Sequence, residues 1–181
     1  MKDIVLRKPA APGDWVRLWR LYMTAFPASE RKPFSMIVKM WKAGKTDIWC
    51  LTEKGSFRGL AITINSPALG LLDYFAVEKK CRGMGIGHSA LGAILDHYRD
   101  RGVFLEIEDP EISGPDQVLR QRRKAFYRSC GLTELGVKAL LFGVPMELLG
   151  TRCSLTFEDY QDFFREHYDP WVAKHIEKPA P

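Results

Sequence analysis

The chain is read outward from Val77-Glu78-Lys79-Lys80-Cys81-Arg82-Gly83-Met84-Gly85-Ile86-Gly87-His88-Ser89-Ala90-Leu91. An apolar, β-rich run from Leu69 to Val77 leads into this stretch, and a helical pattern starts near Ile86. Strand, glycine turn and helix start together point several backbone N–H groups and the positive end of a helix at one spot, which suits a phosphate. Gly83, Gly85 and Gly87 have no Cβ to hold an anion off, and Arg82 adds a positive charge. Two common phosphate cradles are excluded by spacing. A P-loop needs Lys-Ser or Lys-Thr after its glycines, and neither follows here. A dinucleotide fingerprint needs G-x-G-x-x-G, but here Gly87 comes only two residues after Gly85.

A third pattern, [Q/R]-x-x-G-x-[G/A], is met in full by Arg82-Gly83-Met84-Gly85-Ile86-Gly87. The stretch therefore resembles the pyrophosphate-binding signature of the GNAT acetyltransferases. A second stretch, Ala125-Phe126-Tyr127-Arg128-Ser129-Cys130-Gly131-Leu132, resembles that family's A-x-x-F/L-Y-x-x-x-G-F motif. It departs in two ways: Phe-Tyr lies one residue closer to the alanine, and Leu132 replaces the usual aromatic. The resemblance covers about Ile4 to Leu149. It implies an α/β (α+β) acyl-CoA N-acyltransferase fold. In that fold a central, mixed and mostly antiparallel sheet carries a parallel strand pair splayed at the CoA site, with helices flanking it. Residues 1–150 would form this domain, and residues 151–181 a C-terminal helical extension packed on it or at an oligomer interface.

At 181 residues the chain is long enough for one domain with a real core. Its 46% apolar and 27% charged residues are those of a globular protein. No apolar run approaches the ~20 residues that span a bilayer. The first residues, Met1 to Leu6, look like a strand rather than a signal peptide, so a cytoplasmic location and no membrane partner are expected. The four cysteines form no C-x-x-C pair and the four histidines no H-x-x-x-H, so neither a metal site nor a disulfide is expected. Cys81 borders the glycine turn and reads as incidental. The net charge of +5 suits a polyanionic small ligand as well as a nucleic acid. The interleaved strands do not suggest a helix-turn-helix module and no aromatic RNA-binding motif is present, so no nucleic-acid partner is expected.

Ile4 to Arg7 read as a first strand. Asp14 then reads as the N-cap of a helix with Trp15, Leu18, Trp19, Tyr22 and Phe26 on its buried face. After the loop at 28–32, Pro33 suits the first turn of a helix carrying Phe34, Ile37, Val38 and Trp41. Strands are expected at 47–52 and 57–65, joined by the turn Glu53-Lys54-Gly55-Ser56, and then at 69–77. A helix over 86–101 buries Leu91, Ile94, Leu95 and Tyr98 and stops at Gly102. The strand at 103–108 then lies parallel to the one at 69–77, because a helix joins them. Asp116 caps a basic helix with Leu119, Phe126 and Cys130 on its buried side, and strands follow at 137–142 and 145–149. Thr156 starts a last helix with the stripe Phe157, Tyr160, Phe164, Tyr168 and Trp171, ended by Pro170, and 177–181 should fray. Such a stripe reads as core; a dimer contact or a lid over the acceptor are the alternatives.

Acetyl transfer to an amine requires a positioned, polarised thioester, an amine that loses a proton, and a thiolate that regains one. The resemblance implies that acetyl-CoA is held by Arg82, Gly83, Met84, Gly85, Ile86, Gly87 and His88. Phe75, Ala76 and Val77 would pair with the pantetheine arm, and a main-chain N–H there would polarise the acetyl carbonyl. Tyr127 matches the tyrosine that reprotonates the thiolate. Arg120, Arg123 and Lys124 share roughly its face of the helix, where they would stabilise a phenolate or meet CoA phosphates, with Arg123 counted among the cofactor-binding residues. For the general base, Asp73 shares a strand face with Leu71, Phe75 and Val77, while Glu106 and Glu108 share a face on the neighbouring strand. Bulk water is the alternative. The acceptor, a small-molecule or peptide amine, is not specified, although Glu30 or Arg31 in the loop 26–34 could pair with it. A homodimer is left open. A second reading is a GNAT-fold acyl-CoA sensor or interaction protein without productive transfer.

Overall fold

The computed structural model describes residues 2–180. Its elements run β1 (Ile4–Arg7), α1 (Pro12–Ala25), α2 (Phe34–Lys42), β2 (Thr46–Glu53), β3 (Ser56–Asn65), β4 (Leu69–Val77), α3 (Ile86–His97), β5 (Gly102–Glu108), α4 (Gln117–Ser129), β6 (Thr133–Leu141), β7 (Val144–Thr151), α5 (Phe157–His167), α6 (Pro170–Ala173) and β8 (Ile176–Glu177). The strands form a mixed, mostly antiparallel sheet in the order β1-β2-β3-β4-β5-β7-β6-β8. The pair β4–β5 is parallel, as a helical crossover requires, with Leu69, Gly70 and Leu71 opposite Gly102, Val103 and Phe104.

The chain divides into two compact units, Met1–Ile64 with Leu72–Arg99, and Asn65–Leu71 with Asp100–Pro181. Strand β4 contributes to both.

In the first unit, Leu18, Tyr22 and Ile37 from α1 and α2 pack on Ile48, Cys50, Leu60 and Ile62 of β2 and β3 and on Tyr74 and Ala76 of β4. Trp15 meets Trp41 edge-on at 4.9 Å, which joins the two helices. Two expectations for α1 are corrected. Trp19 is 47% exposed, because the helix turns its 18/22 edge inward and leaves 16, 19 and 23 outside. Asp14 lies inside the first turn rather than at its N-cap, which is Ala11. Its carboxylate accepts from the backbone N–H groups of Ala10 and Ala11 and from both terminal nitrogens of Arg7.

Those donors, the Arg7 guanidinium first, hold the buried Asp14 well below the usual carboxylate range. Its contribution is therefore full above the unfolded-chain value near ~3.9 and is lost as pH falls toward the lower folded value. Asp14→Ala is expected to cost about 2 kcal/mol at neutral pH, the order of hydrogen bonds to a charged group. The melting-temperature gap to the parent should close as pH drops below ~4. An undiminished gap in acid would show that the charge of Asp14 is irrelevant.

In the second unit, β7 pairs with both β5 and β6, and β8 pairs with β6. Helix α5 begins at Thr156, whose hydroxyl accepts from the Asp159 N–H as a capping box requires. Tyr160, Phe164 and Tyr168 of its stripe are buried, and Phe163 meets Phe104 edge-on at 5.1 Å. Trp171 is 56% exposed. Pro170 opens α6 instead of merely ending α5, since proline suits a first helical position and Asp169 caps it. The tail is partly tied down, because Glu177 pairs with Leu140; Pro181 lies outside the described residues.

Other expectations differ too, β6 running Thr133–Leu141 rather than 137–142. Helix α3 ends at His97 rather than running to residue 101, and Gly102 opens β5. Tyr98 is drawn off the helix axis into a buried network in which its hydroxyl meets Thr63, Asp47 and Trp49. Helix α4 buries no residue fully, and Leu119 is 52% exposed. Phe142, expected in a strand, sits in a turn at φ +50° with Gly143 at +78°.

Candidate functional site

Strand β4 alternates in its last residues, Tyr74 and Ala76 being buried and Asp73, Phe75 and Val77 half-buried. Its end is pressed against β3. The Glu78 N–H donates to the Arg58 carbonyl at 2.8 Å. A Cβ on Gly59 would lie 2.4 Å from the Ala76 carbonyl oxygen and 3.2 Å from the Val77 Cα.

A 3-10 turn at Lys79–Cys81 then reverses the chain. Gly83 and Gly85 follow at φ +73° and +77°, with open space where side chains would be. Glycine is needed there for backbone conformation rather than for room. Gly85 is the N-cap of α3 and offers no side chain to its first turn. The first-turn N–H groups, including those of Ile86 and Gly87, have no carbonyl one turn back to receive them. Ile86, Ala90, Leu91 and Ile94 are buried and fix the helix, so its N-terminus is held in place. Arg82 is exposed and its Nε donates to the Val77 carbonyl at 3.3 Å, which keeps the guanidinium beside the turn. Met84 and His88 are exposed and Gly87 is half-buried. Cys81 is buried, as an incidental packing residue would be. Backbone N–H groups, a helix start and an arginine thus lie together, an arrangement that can receive an anion.

Asp73 is engaged. Lys32 Nζ reaches its two carboxylate oxygens at 2.7 and 2.8 Å, with both side chains largely buried. The same lysine is tied at its backbone: its N–H donates to the Tyr74 hydroxyl and its carbonyl accepts from the Tyr22 hydroxyl. The Tyr74 hydroxyl in turn donates to the Glu30 carbonyl. The segment between α1 and α2 is thereby pinned to β4, a role that Lys32 did not announce in the sequence. Arg31 donates to the Met23 carbonyl.

In the second unit, Glu108 faces Arg120 at 3.5 Å and Arg123 at 3.9 Å. Glu106 accepts a 2.6 Å hydrogen bond from the Tyr160 hydroxyl, a polar role that the aromatic stripe concealed. Tyr127 is half-buried on α4, edge-on to Phe126 at 5.2 Å, and its hydroxyl has no hydrogen-bond partner among the described residues. Burial pushes its phenol up to about 12, and the nearby Arg123 pulls down less. The expectation that the basic helix stabilises a phenolate is corrected. Arg120 and Arg123 turn to Glu108, and Lys124 to Glu134 and Glu147, so the phenol stays neutral. Among the described residues no His, Cys, Asp or Glu cluster could hold a metal.

The mixed sheet with one parallel pair thus carries, between the end of β4 and the start of α3, a glycine turn whose backbone N–H groups and arginine can receive an anion. The acetyltransferase (GNAT) family model matches residues 15–132, and the chain belongs to that family. No curated protein matches it. Among solved structures it is similar to a Bacteroides thetaiotaomicron protein assigned to the GNAT acetyltransferases, at TM-score 0.77 and 17% identity over 92% of this chain and 98% of the other. It is also similar to an aminoglycoside 6'-N-acetyltransferase complexed with coenzyme A, at 0.64 and 16% over 82% and 96%. Naa50 from Arabidopsis thaliana, in complex with a bisubstrate analogue, matches at 0.61 and 15% over 83% and 99%. At these identities the likeness is one of fold.

Proposed function

We propose that the protein is an acetyl-CoA-dependent N-acetyltransferase that moves the acetyl group directly to a primary amine of a small molecule or peptide within a ternary complex. The observation that carries this reading is the cradle itself. Two left-handed glycines, an uncapped helix start and Arg82 offer donors at one place, and the signature they spell is that of the family's pyrophosphate site. Acetyl-CoA brings an activated acyl thioester. The chain holds its pyrophosphate with 82–88 and aligns its arm along Phe75, Ala76 and Val77. Arg123, which is 55% exposed at its side chain, adds a further cation.

For proton removal from the amine the candidates are the carboxylates Asp73, Glu106 and Glu108. Glu106 accepts from the Tyr160 hydroxyl, Asp73 from Lys32, and Glu108 faces Arg120. Tyr127 supplies the proton to the departing thiolate. We read residues 1–150 as the acetyltransferase domain and 151–181 as its extension, with Tyr160 linking the extension to Glu106.

Acetyl-CoA should raise the melting temperature in a saturable titration, since a ligand of the native state stabilises it. Arg82→Ala should weaken that binding about tenfold, the order of one charge-assisted contact. An unchanged Kd would remove Arg82 from the cradle, and no thermal shift would overturn the reading as a whole. Thiol release over a panel of primary amines then distinguishes transfer from binding alone.

A further inference from the structure

Helices α1 and α2 carry exposed cations that no acidic side chain faces among the described residues. Helix α1 has Arg17 and Arg20 against Asp14, which Arg7 holds, and α2 has Lys39 and Lys42 with no acid. On α4, Arg120, Arg123, Lys124 and Arg128 each face Glu108, Glu134 or Glu147. On α1 and α2, Arg17, Arg20, Lys39 and Lys42 are exposed and make no salt bridge among the described residues.

An apolar stripe accompanies these charges. Val16, Trp19 and Met23 are 47%, 47% and 40% exposed. Their spacing of three and seven residues places them along one side of α1, and Arg20, four residues after Val16, stands beside them. The opposite edge, Leu18 and Tyr22, is buried, so the stripe is not core. A tryptophan, two further apolar side chains and adjacent unpaired arginines on one helix face match the bilayer interface, where apolar groups sink to the acyl boundary and cations meet headgroups. A second copy of this chain is disfavoured, because two such faces would repel. A nucleic acid would satisfy the arginines and leave Val16 and Met23 uncovered.

We propose that the solvent face of α1, with the lysines of α2, docks this protein peripherally on an anionic lipid surface. This revises the expectation of no membrane partner. No described helix is long and apolar enough to cross a bilayer, but lying on a surface needs only one face.

The test is co-sedimentation of the full chain with vesicles of phosphatidylcholine containing roughly one-third phosphatidylserine, against pure phosphatidylcholine. Binding should be confined to the anionic vesicles and should fall as salt rises. Arg17→Gln with Arg20→Gln should weaken partition about thirtyfold, from about 1 kcal/mol per basic residue. Trp19→Ala should weaken it about tenfold through lost apolar contact. Each variant should keep the parent melting temperature. No partition, or partition equal on neutral vesicles, overturns the proposal. Loss with the arginine variant but none with Trp19→Ala also overturns it, and assigns the face to a polyanion such as a nucleic acid or an acidic protein. These readouts need no acetyl-CoA, so they stand or fall apart from the transferase reading.

Discussion

Gly59→Ala lowers the melting temperature by roughly 6–12 °C, the result expected from the contact between β3 and β4. The added methyl would lie 2.4 Å from the Ala76 carbonyl oxygen and 3.2 Å from the Val77 Cα. Both neighbours are backbone, so no rotamer change relieves them. The strands must part, at about 3 kcal/mol, the upper end of the range for overpacking. For a chain of this size each kcal/mol is worth about 2–4 °C. The parting also moves residues 76–78, which lead into the glycine turn, so acetyl-CoA affinity should fall together with stability. Gly92→Ala is the matched control. It lies on the exposed side of α3 with nothing within 4 Å of its added methyl. There the same substitution should stabilise by up to about 1 kcal/mol, because alanine is the better helix former. Opposite signs from one chemical change would establish that Gly59 serves close approach. A Gly59→Ala protein as stable as the parent would refute that.

The parts of this protein that were legible in the sequence are those whose physics is local. Strand β4 was bounded correctly because its apolar run stops at the charged Glu78. The turn after it was legible because left-handed backbone at Gly83 and Gly85 demands glycine, and Gly55 marked the β2–β3 turn for the same reason. Phe142 shows the limit. Its β propensity places it in a strand, yet tertiary contacts hold it at φ +50°, its ring stacked on His175 at 4.8 Å. Tyr98 was read as helix for its spacing, but its hydroxyl found partners in β2 and β3 about 35 to 51 residues away.

The candidate site divides in the same way. The cradle is backbone, and its signature could be read directly. The carboxylates could be named but not ranked, since their value depends on what faces them. Lys32 lies 41 residues before Asp73, and Tyr160 54 residues after Glu106. No periodicity relates a loop lysine to a strand aspartate, or a tyrosine in a C-terminal helix to a glutamate on a mid-chain strand. Helix α4 misled for a different reason. Leu119, Phe126 and Cys130 have the spacing of a buried stripe, yet none of them is fully buried, and the helix also makes ion pairs to Glu108, Glu134 and Glu147.

Tyr127→Phe should lower turnover by roughly 100-fold or more, the usual worth of a positioned proton donor, while leaving acetyl-CoA affinity and the melting temperature close to the parent. The hydroxyl makes no hydrogen bond among the described residues, so its removal strands no partner. The ring, with its edge-on contact to Phe126, is kept. A structural tyrosine would therefore be silent in this experiment. The pH dependence sharpens the point. Burial raises the Tyr127 phenol to about 12, above the ~10 of an exposed tyrosine. The raised value favours the folded state fully below pH ~10, and that contribution is lost as pH climbs toward 12. Over the same range the phenol keeps the proton that the thiolate needs. The parent protein should thus show no loss of kcat attributable to tyrosine ionisation up to pH ~10, where an unshifted donor would already be half spent. If kcat for an amine that supports turnover is unchanged in Tyr127→Phe, the thiolate takes its proton elsewhere and Tyr127 leaves the mechanism. If kcat falls and a basic limb appears in the parent near pH 10, the donor role stands and the effect of burial on the free tyrosine is offset once the ligand is bound.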